Sequence, residues 1–83
     1  MSFSDDVRNY CKVNYVDSAR KKGERTVTII SGDVHSALHF SNKYPLVCSA
    51  LGSDKFNNLC HLKRLSVEGP LNGVSTIFVF ELL

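Results

Sequence analysis

Eighty-three residues, 43% of them hydrophobic and 10% aromatic, suffice for one compact core, so metal or disulfide staples are not required. A formal net charge of +2 and a sequence pI near 8.5 stop short of the strongly basic signature of many nucleic-acid binders. No apolar run approaches about 18 residues, which excludes a membrane span. Three cysteines without C-x-x-C spacing argue for reduced thiols in a cytoplasmic setting, and Met1 to Asp6 lacks the basic and apolar regions of a signal peptide.

Ser4 can cap a first helix, with Asp5 and Asp6 in the turn where the helix dipole favours acids. Phe3 and Val7, Tyr10 and Cys11, then Tyr15 and Ala19 trace an apolar stripe. Arg20, Lys21 and Lys22 close the last turn, and Gly23 stands where a left-handed cap residue is expected. Together they predict a helix over 4–21. The β-branched run Thr26, Val27, Thr28, Ile29, Ile30 is too short for a helix and is bounded by Gly23 and by Ser31 and Gly32, so it predicts a strand over 26–30.

Ser31 is the expected cap of a second helix, with Asp33 in its first turn and Val34, Ala37 and Leu38 on one face. Residues 40–45 break it, because Ser41 and Asn42 favour caps and turns and Pro45 fits only the first turn of a following helix. Tyr44, Val47, Cys48 and Leu51 then restore the helical spacing. Gly52 either ends that third helix or loosens it, with residues 54–59 able to add one or two turns. Over 62–68, Leu65 and Val67 alternate with Arg64, Ser66 and Glu68, as in a strand with one wet face. Asn72-Gly73 signals a hairpin turn. A return strand over 75–82 puts Thr76, Phe78, Phe80 and Leu82 on one face and Ile77, Val79, Glu81 and Leu83 on the other. Both faces are mostly apolar, which fits either a covered central strand or a strip used for dimerisation.

The strand-to-helix junction over 26–38, the polar corner over 40–45 and the strand, Gly-Pro-Leu-Asn-Gly loop and strand at the end resemble a winged helix-turn-helix domain. The resemblance covers nearly the whole chain and is architectural. It implies an α+β fold, a three-helix core with a small antiparallel three-stranded sheet. It also implies duplex DNA as the partner, with the third helix (about 42–52) in the major groove and the wing over 69–74 on the backbone or minor groove. The contacts implied are Ser41, Asn42, Lys43, Tyr44, Ser49, Ser53 and Lys55, with Asn72 from the wing. With Val47, Cys48 and Leu51 facing the core, Asn42, Pro45, Ser49 and Ser53 point outward. Asn42 can pair bidentately with adenine, and Ser49 can bond a base edge or a phosphate. Ser41 and the amides at the helix start can hold a phosphate, and Lys43 can neutralise one.

Two departures from that pattern matter. The third helix carries no Arg, and the wing tip carries no charge. The densest basic cluster is instead Arg20, Lys21, Lys22 and Arg25, opposed only by Glu24, with Lys63 and Arg64 a smaller one. So few phosphate contacts imply weak binding by a monomer, which a homodimer on two half-sites would offset. Helix 1 and the second face of the last strand (Ile77, Val79, Leu83) are the surfaces for it. The alternative is a protein-interaction or assembly module on the same fold.

Other constellations point to no chemistry. His35 and His39 have a metal-compatible i, i+4 spacing but no matching second pair, and are expected on the surface. Cys60 and His61 are adjacent rather than spaced for chelation. Cys48 reads as a small core residue, and no local motif activates it with His35 and Asp33 as a nucleophile. A non-enzymatic protein without cofactor or small-molecule substrate is the expectation.

Overall fold

The first helix is wound in two ways. The computed structural model describes residues 2–69 and 74–83, beginning with α1 (Phe3–Cys11), a π-helical stretch (Lys12–Val16) and α2 (Asp17–Lys21) in one run. The cap is Ser2 rather than the expected Ser4. Its backbone is extended, and its Oγ accepts the Asp5 N–H at 3.1 Å. Val7 and Cys11 are buried one turn apart, but the next core residue is Val16, five residues on, followed by Ala19. The π turn absorbs that extra residue and keeps the stripe on the core. Tyr15, expected in the stripe, is consequently only half-buried. Lys12 Nζ pairs with Asp17 Oδ2 across the π turn at 3.2 Å. The stop is as read: Gly23 has φ +73°, its N–H donates to the Arg20 carbonyl and the Glu24 N–H to that of Ala19.

The chain continues through β1 (Thr26–Ile30), α3 (Ser31–Ala37), α4 (Tyr44–Leu51), α5 (Asp54–Cys60), β2 (Leu62–Glu68) and β3 (Ile77–Leu82). The strands form one antiparallel sheet in the order β1-β3-β2. Counting α1 to α2 as one helix, four helices cover one face of this sheet. The fold is α+β, with one helix more than the expected three-helix core, because Gly52 ends α4 and Ser53 caps a separate α5. None of the helices is long and apolar enough to cross a membrane among the described residues.

Several expectations within these elements are corrected. Ser31 is the first helical residue, not a side-chain cap; it is buried, and its N–H donates to the Thr76 carbonyl at 2.9 Å. The short α3 buries Val34 and His35, leaving Ala37 exposed and Leu38 half-buried. α4 begins at Tyr44 rather than near Asn42, whose φ of +53° is incompatible with helix. In β2 a bulge at Leu65 breaks the alternation. Leu62 is the buried residue of that strand, Arg64 faces Phe80 across the ladder, and Leu65 and Val67 are 50% and 39% exposed. β3 begins at Ile77, after a turn at Val74 and Ser75.

β3 is the central strand. Phe78 and Phe80 point into the core, where Phe80 meets the edge of Phe56 at 5.4 Å between centroids. On the outer face Ile77 and Val79 are half-buried and Leu83 is exposed. Of the apolar stripe of the first helix, Val7, Cys11 and Ala19 are buried in this core, Tyr10 and Tyr15 are half-buried and Phe3 is 50% exposed. The expected Asn72-Gly73 turn lies outside the described residues.

One charged cluster ties the first helix to α5. Arg8, itself buried, pairs with Asp5 at 2.8 Å, and Lys55 reaches the same carboxylate oxygen at 3.5 Å. The Arg8 guanidinium, then Ser2 and Lys55, hold the Asp5 carboxyl down at about 2 from its ordinary 3.8. A depressed carboxylate stabilises the fold above its unfolded pKa and loses that contribution as pH falls through the folded one. Wild type should therefore melt above Asp5→Asn at neutral pH. The gap in thermal midpoint should close between about pH 4 and about pH 2. A gap independent of pH would mean the carboxylate is not held by its cationic neighbours.

Candidate nucleic-acid interface

The corner between α3 and α4 is built on a histidine. His35 is buried rather than on the surface, and its Nε2 accepts the Lys43 N–H at 3.1 Å. Its ring stacks on Tyr44 at 3.9 Å and meets the edge of Phe40 at 5.9 Å. An Nε2 that accepts is the neutral tautomer's acceptor nitrogen, so the imidazole acts as a structural latch on the turn. His35 is buried beside its neighbour Val34 on α3. His39 is exposed in the left-handed region, φ +57°.

Around this latch the expected contact residues divide. Ser41 and Asn42 are exposed at the corner, and Pro45 and Ser49 form the exposed stripe of α4. Lys43 is half-buried, its Nζ lying 4.6 Å over the Phe3 ring. Tyr44 is half-buried by its stack on His35. The Ser53 hydroxyl is occupied as a cap: it donates to the Ala50 carbonyl at 2.7 Å and accepts the Phe56 N–H at 3.3 Å. Lys55 is drawn toward Asp5. Asn72 lies outside the described residues. The start of α4 offers fewer amides to an anion than its sequence suggests, since the Lys43 N–H is bonded to His35 and Pro45 has none.

The hairpin stands beside this stripe. Arg64 Nη1 donates to the Gly52 carbonyl at 2.6 Å, joining β2 to the end of α4. Ser49, Gly52, Arg64, Val67 and Phe78 share a cleft of about 430 Å³. Arg64 thus borders this cleft, though sequence alternation assigns it only to a wet strand face. Arg64 lies on the face of Leu62, ahead of the bulge, and the bulge then brings Val67 opposite Phe78.

The second basic cluster is less uniform than its sequence. Arg20 is committed to the fold: Nη2 donates to the carbonyls of Cys60 (2.6 Å) and His61 (3.1 Å), and Nη1 to that of Leu83 (3.0 Å). Lys21, Lys22 and Arg25 are exposed and form no salt bridge among the described residues. Lys22 and Arg25 border a groove of about 630 Å³ between the π-helical segment and β1, far from the corner in sequence.

The thiols are core groups. Burial, with some help from Cys60, pushes Cys11 up to about 12, and burial raises Cys60 to about 11. Both are protonated at neutral pH and poor nucleophiles there. Among the described residues no three His, Cys, Asp or Glu side chains converge as metal ligands. Comparison with protein-family models, with curated proteins and with solved structures returns no match to this chain.

Proposed function

We propose that this chain is a non-enzymatic duplex-DNA-binding module of winged helix-turn-helix architecture, acting in the cytoplasm as a small regulator or accessory protein. The observation that carries the reading is the place of the hairpin. β1, inserted between the first helix and the corner, pairs with β3, while Arg64 fastens β2 to the end of α4. Ser49 therefore shares a surface with the hairpin, as a recognition helix does with its wing. The exposed Asn42 and Ser41 at the corner support the same geometry, with α4 as the reader, narrowed to Pro45 and Ser49 along its length. A homodimer would supply the affinity that so few cations cannot, and the outer sheet face with Ile77, Val79 and Leu83 is where it would form.

Two substitutions separate reading from positioning. Asn42→Ala is expected to cost about 1–3 kcal/mol on a preferred site and little on random duplex, because a bidentate base contact is sequence-specific. Lys43→Ala should weaken all duplexes alike and reduce the salt slope by roughly one unit. Fluorescence anisotropy at several salt concentrations measures both. Binding that neither change alters would remove the corner from the interface.

A further inference from the structure

The two edges of the sheet are not alike. β2 is protected against further pairing by the bulge at Leu65 and by the charges of Lys63 and Arg64 on either side of the strand. β1 has no bulge, no Pro and no charged residue from Thr26 to Ile30. Its hydrogen-bonding parity follows from its two ends. Leu82 N–H donates to the Arg25 carbonyl, and Ser31 N–H to that of Thr76. Residues 25, 27, 29 and 31 therefore address β3, and Thr26 and Thr28 turn their N–H and C=O groups to the free edge. Both are exposed, and no backbone bond from another element reaches that edge among the described residues.

Beside this edge runs the groove walled by the π-helical segment. Asn14, Tyr15 and Ser18 line it on the helix side, and Lys22 and Arg25, with Glu24 between them, stand at the end where β1 begins. Tyr15, at the π turn, is half-buried against the core and also lines the groove. An open strand edge next to a helix-walled groove is the arrangement that takes an extended peptide as an added strand: main-chain bonds hold it, and alternate side chains drop into the groove.

We infer that β1 and this groove bind an extended acidic peptide segment of a partner protein by strand addition at Thr26 and Thr28, its carboxylates on Lys22 and Arg25. Charge complementarity selects that occupant. Lys22 and Arg25 are exposed and form no salt bridge among the described residues, and Glu24 is the one acid lining the groove beside them. Arg20 takes no part, since its guanidinium is bonded to the carbonyls of Cys60, His61 and Leu83. The site is separate from the corner and the hairpin and does not depend on the DNA reading.

The test titrates the isotope-labelled full chain with a blocked peptide alternating glutamate and valine, and with its lysine-for-glutamate counterpart. The acidic peptide should shift the Thr26 and Thr28 amides and slow their hydrogen exchange, and the lysine peptide should not. Lys22→Glu with Arg25→Glu should weaken binding roughly tenfold. Thr28→Pro removes an amide that β3 does not use, so it should abolish binding while a cooperative melt persists. Should that variant unfold, the charge reversal alone decides. Three results would overturn the inference: equal binding of both peptides, shifts confined to the corner or hairpin, or duplex DNA shifting Thr26 and Thr28 where the acidic peptide does not. Concentration-dependent shifts of these amides without peptide would overturn it too, by placing a second copy on the edge.

Discussion

Val47→Asp is expected to leave no folded population at room temperature. Val47 lies on the inner face of α4, fully buried against the first helix and α3. A carboxylate there has no cation within the apolar cluster to pair with, and the effective penalty for burying an unpaired charge is several kcal/mol. The lost burial of the valine adds about 1.5–3 kcal/mol. A domain of this length holds only about 4–12 kcal/mol in all, at about 0.05–0.15 kcal/mol per residue. Circular dichroism and the dispersion of the amide spectrum read the result. Leu38→Asp, at a half-buried position in the same cluster, should lower the midpoint but keep a cooperative transition. A Val47→Asp protein melting like wild type would mean that α4 does not pack as described.

The second large effect is expected at Gly32, and there the sign is informative. Alanine in place of a helical glycine ordinarily stabilises by about 0.5–1 kcal/mol. At Gly32, in the first turn of α3, an added Cβ would collide with the carbonyl oxygen of Val74 and crowd its side chain. The obstruction is backbone, at the start of the return to β3, and cannot rotate away. Gly32→Ala should therefore destabilise, at the upper end of the about 1–3 kcal/mol typical of overpacking. For a domain this small that is roughly 10–20 °C in thermal midpoint. Gly23→Ala makes a useful contrast. Its Cβ would meet nothing within 4 Å, yet the left-handed φ of +73° makes any side chain strained. A stabilised Gly32→Ala protein would place Val74 away from α3.

Much of the fold was legible because independent local signals agreed. β1 and β2 match their expected bounds residue for residue, since glycine, serine or a helix end punctuates each of them. The first helix starts one residue early and stops where Gly23 says. What escaped was the tertiary response to local pattern. A five-residue step from Cys11 to Val16 cannot be told from a change of face until the core shows which residue is buried. A bulge at Leu65 inserts one residue into a period of two and reverses which neighbours face in. His35 read as a surface residue because its polarity outweighed its position beside Val34; its latch on Lys43 depends on a turn that only the folded chain defines.

The candidate contacts were legible in position more than in use. Of the four residues expected to point outward, Asn42, Pro45 and Ser49 are exposed and Ser53 is half-buried, Asn42 from the corner ahead of α4 and not from its helical spacing. Ser53, Lys55 and Arg20 carry the right chemistry, but the fold engages them, as a cap, with Asp5 and on main-chain carbonyls. Composition cannot distinguish an idle cation from an occupied one. The free cations Lys22 and Arg25 gain meaning from the groove and the unpaired strand edge, neither of which has a sequence signature.

The most direct test of the DNA reading is an amide-shift titration of the labelled chain with a short generic duplex at about 50 mM and about 200 mM salt. The expected result is a set of shifts along Ser41, Asn42, Lys43, Ser49 and the hairpin strand from Arg64 to Val67, weakening steeply at the higher salt. Contradiction would be silence at those residues even at the lower salt, or shifts confined to Lys21, Lys22 and Arg25.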